Sequence, residues 1–145
     1  MPAQVAALKE KVARYVEDLI GPYEQNDRGE IHFRWGSARV FVDCRRFGDE
    51  ESIVYISIPL LFNLEPTPEL FRHVALHADD WYFGHLNLSE NKDDKRLRLW
   101  LSHALLGDYL DVEELKSAVA AIAKTADTLD DELKATFGGE RYHED

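Results

Sequence analysis

The sequence has 145 residues, of which 45% are hydrophobic and 31% are charged, and its formal net charge is −11. This length predicts a single domain over residues 1–145, and the hydrophobic fraction excludes an intrinsically disordered chain. The net negative charge repels phosphate backbones, so no nucleic-acid partner is expected.

The cysteine content and the apolar runs indicate a compartment. Cys44 is the only cysteine and cannot form an internal disulfide, which fits a reducing environment. Charged residues interrupt the apolar residues near the N terminus, unlike in a signal peptide. No apolar run reaches the roughly 18 residues of a membrane helix. The sequence therefore predicts a cytoplasmic protein with no membrane partner.

The first half of the chain reads as one helix followed by three strands. Residues 3–20 repeat apolar side chains every three or four positions, which predicts an amphipathic helix. Residues 31–35 and 38–46 alternate apolar and polar side chains around a Gly36 turn, which predicts a hairpin. Residues 52–62 are apolar at almost every position, so we expect them to form the central strand of the sheet.

The second half contains a helix, a second hairpin and a long final helix. Thr67 before Pro68 is typical of a helix start, and residues 81–88 and 95–106 are predicted strands. A capping box of Asp111 and Glu114 begins the last helix. The predicted fold class is α+β, in the order α-β-β-β-α-β-β-α, with helices packed on a mostly antiparallel five-stranded sheet.

Three stretches of the chain carry a resemblance to a known family: Ile-Ser-Ile-Pro-Leu-Leu at 56–61, Thr-Pro-Glu-Leu at 67–70, and the segment from 126 to 139 that closes on Phe-Gly-Gly. Over most of its length the chain resembles the YbjN-like proteins and the CesT-type chaperones of type III secretion. The resemblance implies a secretion-chaperone-like fold and a cytoplasmic protein that holds a peptide segment of a client. It implies neither catalytic residues nor a cofactor, and it is compatible with a homodimer.

One face of the predicted sheet collects basic and aromatic side chains when alternate residues of each strand are assigned to opposite faces. We expect the first and third helices to cover the other face, which leaves this one accessible. Arginine forks and aromatic rings suit an acidic or extended peptide. The alternative is a solvated face whose arginines keep the sheet soluble. The candidate peptide- or partner-binding residues are Arg34, Arg39, Phe41, Arg45, Tyr55, Phe83, Arg96, Arg98 and Trp100.

Histidines offer a different kind of site. His73 and His77 are four residues apart on the second predicted helix, and with His85 they form a candidate zinc site. No HExxH pattern and no nearby cysteine accompany them, so we favour ordinary polar histidines and expect no metal. The paired carboxylates of the chain fall in predicted turns or on exposed helix faces, and no phosphate loop or nucleophile motif is present. The sequence therefore predicts a protein that is not an enzyme.

The helices provide the remaining alternative, a regulatory protein that binds a folded partner through them. Residues 111–145 hold 10 acidic and 4 basic residues, a net charge of −6. Such an acidic helix can meet the basic sheet face of a second copy and form a homodimer. Solubility alone explains the same charge.

Overall fold

A computed structural model describes residues 3–142, and the side chains from Val5 onward. Within residues 3–142 there are three helices and seven strands. The two-residue strands β1 and β7 are additions to the five predicted strands. In chain order the elements are α1 (Ala3–Leu19), β1 (Glu24–Gln25), β2 (Ile31–Trp35), β3 (Ala38–Phe47), β4 (Glu51–Leu64), α2 (Pro68–His77), β5 (His85–Glu90), β6 (Leu97–Leu106), α3 (Val112–Phe137) and β7 (Glu140–Arg141).

The strands form one sheet in the order β1-β2-β3-β4-β6-β5, and every pairing within residues 3–142 is antiparallel. β4 lies between β3 and β6, as predicted for the most apolar stretch. β3 pairs with β4 as far as Ser57, and β7 then pairs with Leu61 and Phe62 along the same edge of β4. The predicted α+β fold and its element order are confirmed.

The helices α1 and α3 pack on one face of the sheet, and the hydrophobic core lies between them and the strands. Alternate residues of each central strand face this core, because successive side chains of a strand point to opposite sides. Burying one valine, leucine or isoleucine side chain stabilises the fold by about 1.5–3 kcal/mol. The largest fully buried side chains include Val12, Val16, Ile56, Ile58, Leu99, Leu101 and Ile122.

The predicted helix starts are confirmed by their capping contacts. The Thr67 hydroxyl accepts a hydrogen bond from the Leu70 amide at 3.2 Å, which begins α2. Asp111 and Glu114 form the reciprocal capping box that begins α3, and α3 ends at Phe137. No helix within residues 3–142 is long and apolar enough to cross a membrane.

Two predicted strand boundaries were wrong. Residues 81–83 form bends, and β5 begins only at His85, after Gly84 with a φ of 96°. β6 begins at Leu97 rather than at residue 95, because Lys95 adopts a φ of 65° within the preceding turn. Phe83 and Arg96 therefore lie outside the strands in which they were predicted.

Candidate functional site

The sheet face opposite α1 and α3, which we call the open face, carries seven of the nine candidate residues. They belong to the strand positions that alternate with the buried Val40, Val42 and Cys44. Cross-strand register aligns them, since Phe41 is opposite Ser57 and Ser57 is opposite Ser102. The candidates on the open face are Arg34, Arg39, Phe41, Arg45, Tyr55, Arg98 and Trp100.

A groove of about 320 Å³ lies on the open face. Strands β3, β4, β5 and β6 contribute aromatic, hydroxyl and amide side chains to it, and the β1–β2 loop contributes one wall. The sequence did not predict this wall, because a polar loop carries no pattern that indicates which part of the sheet it lies against. The lining residues are Asn26, Arg28, Glu30, Phe41, Arg45, Tyr55, Ser57, Asn87, Ser89, Arg98, Trp100 and Ser102.

Hydrogen bonds between neighbouring strands hold the polar side chains of the groove. Trp100 Nε1 donates to Ser89 Oγ at 3.0 Å, and Asn87 Nδ2 donates to Ser102 Oγ at 3.0 Å. Ser102 Oγ is also 3.5 Å from Ser57 Oγ. The indole ring of Trp100 is therefore fixed in one orientation. Ser57 on β4 and Ser102 on β6 occupy alternate strand positions that point to the open face, so the sequence pattern could have identified them. The candidate residues were chosen among charged and aromatic side chains only.

Two of the three arginines that line the groove are paired with acidic residues. Arg28 forms a salt bridge with Glu30 at 2.9 Å. Arg45 lies 2.8 Å from Asp43 and stacks over the Tyr55 ring at 4.3 Å from its centroid. The third is Arg98, whose Nε atom is buried and has no hydrogen-bond partner among the residues that the structure describes. The groove thus holds one uncompensated positive charge.

Arg39 lies on the same face but beside the groove rather than in it. Its Nη1 atom is 3.4 Å from His32 Nδ1 and 3.9 Å from a carboxylate oxygen of Glu24, and only 11% of its side chain is exposed. His32 stacks on Phe41 at a centroid distance of 5.2 Å, and Tyr142 meets Phe41 edge-on at 6.1 Å. These contacts form a packed border along one side of the groove.

Phe83 and Arg96 do not join the other candidates. The Phe83 ring packs at 5.1 Å against His103, which is opposite Ile56 and so faces the side covered by the helices. Arg96 lies in the turn before β6 and pairs with Glu65 at 3.4 Å. The prediction that these two residues lie on the open face was wrong, because both strands begin later than their patterns indicated.

The three candidate zinc ligands are divided between the two sides of the sheet. The rings of His73 and His77 are 4.7 Å apart on α2, and His77 Nδ1 is 2.8 Å from Asp80 Oδ2. Burial, followed by the charge of His77, lowers the pKa of His73. His85 is opposite Ser102 and belongs to the open face. No group of three or more potential metal ligands occurs within residues 3–142.

A second cavity, of about 470 Å³, lies between α2 and α3. His73, His77 and Asp80 line it from α2 and the following turn, and Lys124 and Glu132 line it from α3. The His73 ring meets Phe137 edge-on at 5.4 Å at this position. The sequence analysis did not predict that Lys124 and Glu132 of α3 line the same cavity as these histidines.

An antiparallel sheet with helices on one face and a groove on the other defines the class as a small α+β protein. The chain belongs to the family described as T3SS (YopN, CesT) and YbjN peptide-binding chaperone 1, whose model matches residues 6–145. A search of curated proteins found no match to the chain. The family predicted from the resemblance is therefore confirmed, and with it a chaperone-like, peptide-binding role.

Proposed function

We propose that this protein acts in the cytoplasm as a non-catalytic chaperone that holds an extended segment of a client protein in the open-face groove. The observation that carries the proposal is the groove itself, which joins Phe41, Tyr55 and Trp100 with arginine side chains on the one sheet face that α1 and α3 leave uncovered. Its volume of about 320 Å³ lies in the range of ligand pockets. Membership of a peptide-binding chaperone family supports the same function.

The sheet determines how such a segment is recognised. β3, β4 and β6 each pair with a strand on both sides, so their backbone groups are already engaged in the sheet. A segment lying across this face is therefore held by side chains and not by the addition of a strand. A few aromatic side chains usually carry much of the binding energy of such interfaces, which gives Tyr55 and Trp100 the leading role.

Site-specific photocrosslinking tests the proposal. Benzoylphenylalanine replaces Phe41 or Tyr55, which both line the groove, and in a matched control it replaces Tyr82, whose side chain is fully exposed in the α2–β5 turn. The variants are irradiated in a lysate of the source organism, and crosslinked peptides are sequenced by mass spectrometry. We expect both groove positions to capture the same short client segment, and Trp100→Ala to reduce its yield at least tenfold.

Crosslinks of equal yield from Tyr82, or captured segments that differ between Phe41 and Tyr55, would contradict the proposal. Circular dichroism of each variant verifies that the fold is retained. Purified protein irradiated alone identifies crosslinks within the chain, which are then excluded.

A folded partner that binds through the helices is a second candidate function. It is favoured by the exposure of two apolar side chains of α2, Phe71 at 47% and Leu76 at 59%. The same crosslinker at Leu76 would then react with several surface peptides of a single partner protein. The groove positions would crosslink to no partner.

The homodimer stays a prediction based on charge, with the acidic exterior of α3 of one copy meeting the arginines of the open face of another. Light scattering during size-exclusion chromatography tests it. A dimer of this kind dissociates as the salt concentration rises, because screening weakens attraction between exposed charges.

A further inference from the structure

We infer that the groove recognises an aspartate or glutamate side chain of the client segment, and that Arg98 is the residue that binds it. The inference rests on the proposed function and specifies its ligand. It starts from the one groove arginine that has no acidic partner among residues 3–142, in a protein whose net charge is −11.

Arg98 is positioned by its strand and not by a charged neighbour. It lies on β6 opposite Ser89, two residues before Trp100, and its side chain is partly buried. Its Nε atom is buried and lacks a hydrogen-bond acceptor, and its side chain has no salt bridge to any residue from 3 to 142. The terminal Nη atoms of the same guanidinium also have no hydrogen bond among residues 3–142, and they are the donors that a carboxylate in the groove can reach.

The other charges of the groove are already balanced. Glu30 neutralises Arg28, and Asp43 neutralises Arg45, so a ligand gains little by competing with these carboxylates. One positive charge then remains for the ligand. A single carboxylate matches it in charge and binds a guanidinium in a two-pronged geometry. A phosphate group, with a charge near −2, would remain partly uncompensated.

The surroundings of Arg98 suit an amino-acid side chain within a peptide. Ser89 lies opposite Arg98 and supplies a hydroxyl group, and Asn87 and Ser102 line the same groove farther along the strands. The ring of Trp100 offers an apolar surface on which the methylene groups of a glutamate or a neighbouring apolar residue can pack. The geometry thus suits an acidic residue with an apolar neighbour that packs on Trp100.

Peptide binding in vitro tests the inference. The probe is an array of random nine-residue peptides with amidated C termini, so that only side chains provide carboxylates. The best binder is then labelled with fluorescein, and its dissociation constant is measured by fluorescence polarisation. The proteins compared are the wild type, Arg98→Gln, Trp100→Ala and the control Arg72→Gln, which removes an exposed arginine of α2 far from the groove.

We expect bound peptides to be enriched in aspartate or glutamate over asparagine and glutamine at one position. Replacing that residue by its amide should weaken binding about 10-fold to 100-fold, as the loss of a charge-assisted hydrogen bond predicts. Arg98→Gln should weaken binding equally, and the two changes together should cost no more than either alone. Arg72→Gln should leave the affinity unchanged.

Two results overturn the inference and distinguish its failure from that of the proposed function. In the first result, Trp100→Ala weakens peptide binding, but neither Arg98→Gln nor the amide replacement changes the affinity. The groove is then still a peptide site, and recognition of an acidic side chain is refuted. Equal losses in Arg98→Gln and Arg72→Gln would also refute it, because they indicate general charge attraction. If no peptide binds, or if Trp100→Ala has no effect, the proposed function fails and the inference fails with it.

Discussion

The contact of α1 with the end of β6 depends on a glycine, Gly107, and replacing it by alanine should destabilise the fold. A Cβ atom at this position would lie 2.4 Å from Leu8 Cδ2 and 2.8 Å from Ser52 Oγ, well inside van der Waals contact. The glycine cannot move away, because its amide donates to the Ser52 carbonyl at 2.8 Å and its carbonyl accepts from Lys11 Nζ at 2.9 Å.

The Leu8 side chain must therefore leave its rotamer and the Ser52 hydroxyl must rotate away, or α1 must shift outward. Overpacking of this kind costs about 1–3 kcal/mol. For a chain of this length each kcal/mol lowers the melting temperature by about 2–4 °C. The free energy of unfolding is measured by urea titration of the wild type and of Gly107→Ala, and the melting temperature by calorimetry.

A double-mutant cycle identifies the cause of the loss. Leu8→Val removes both δ carbons, so Gly107→Ala should cost at least about 1 kcal/mol less in the Leu8→Val background than in the wild type. Losses that add within about 0.5 kcal/mol would show that the close approach of α1 is not the reason for the glycine. A Gly107→Ala protein as stable as the wild type would refute the reasoning altogether.

Three further predictions concern groups on the helix-covered side of the sheet. Burial, followed by the charge of His85, lowers the pKa of His103, whose Nδ1 atom accepts a hydrogen bond from the Gly84 amide at 3.0 Å. As the pH falls, the unfolded chain therefore protonates this histidine before the folded protein does. The free energy of unfolding then falls as the pH drops below about 6.5. His103→Gln should make urea titrations between pH 8 and pH 5 less dependent on pH, and an unchanged slope would contradict this. Burial raises the pKa of the Cys44 thiol to about 12, so a chromogenic disulfide should label the native protein at pH 8 far more slowly than the urea-unfolded protein. Ser52→Ala removes the 2.7 Å hydrogen bond to Asp108 and should lower the free energy of unfolding by about 1 kcal/mol, whereas no loss would indicate that water replaces the hydroxyl group.

Much of the fold could be predicted because its signals are local. The apolar run of β4, the Thr67 cap and the Asp111–Glu114 capping box each depend on residues close together in the chain, and the structure contains all three. The two-residue strands β1 and β7 have no such local pattern in the sequence. Their pairing depends on the edges of β2 and β4 to which the chain returns, and a two-residue stretch cannot show an alternating pattern.

The candidate site was predicted in part for the same reason. Strand parity placed Tyr55, Arg98 and Trp100 on one face, because parity needs only the strand and its register. It failed at Phe83, where a bend precedes β5. The wall from Asn26 to Glu30 required knowledge of how a loop folds over a distant strand, which no pattern within that loop contains.

The pairing of β7 with β4 has a practical consequence for work on this protein. This strand carries the chain to Tyr142, whose ring contacts both Phe41 and Phe62. A fluorophore, affinity tag or surface linker attached after this residue would start beside the border of the groove and compete with any bound segment. Attachment ahead of α1, which packs on the other face of the sheet, leaves the groove clear for measurements of binding.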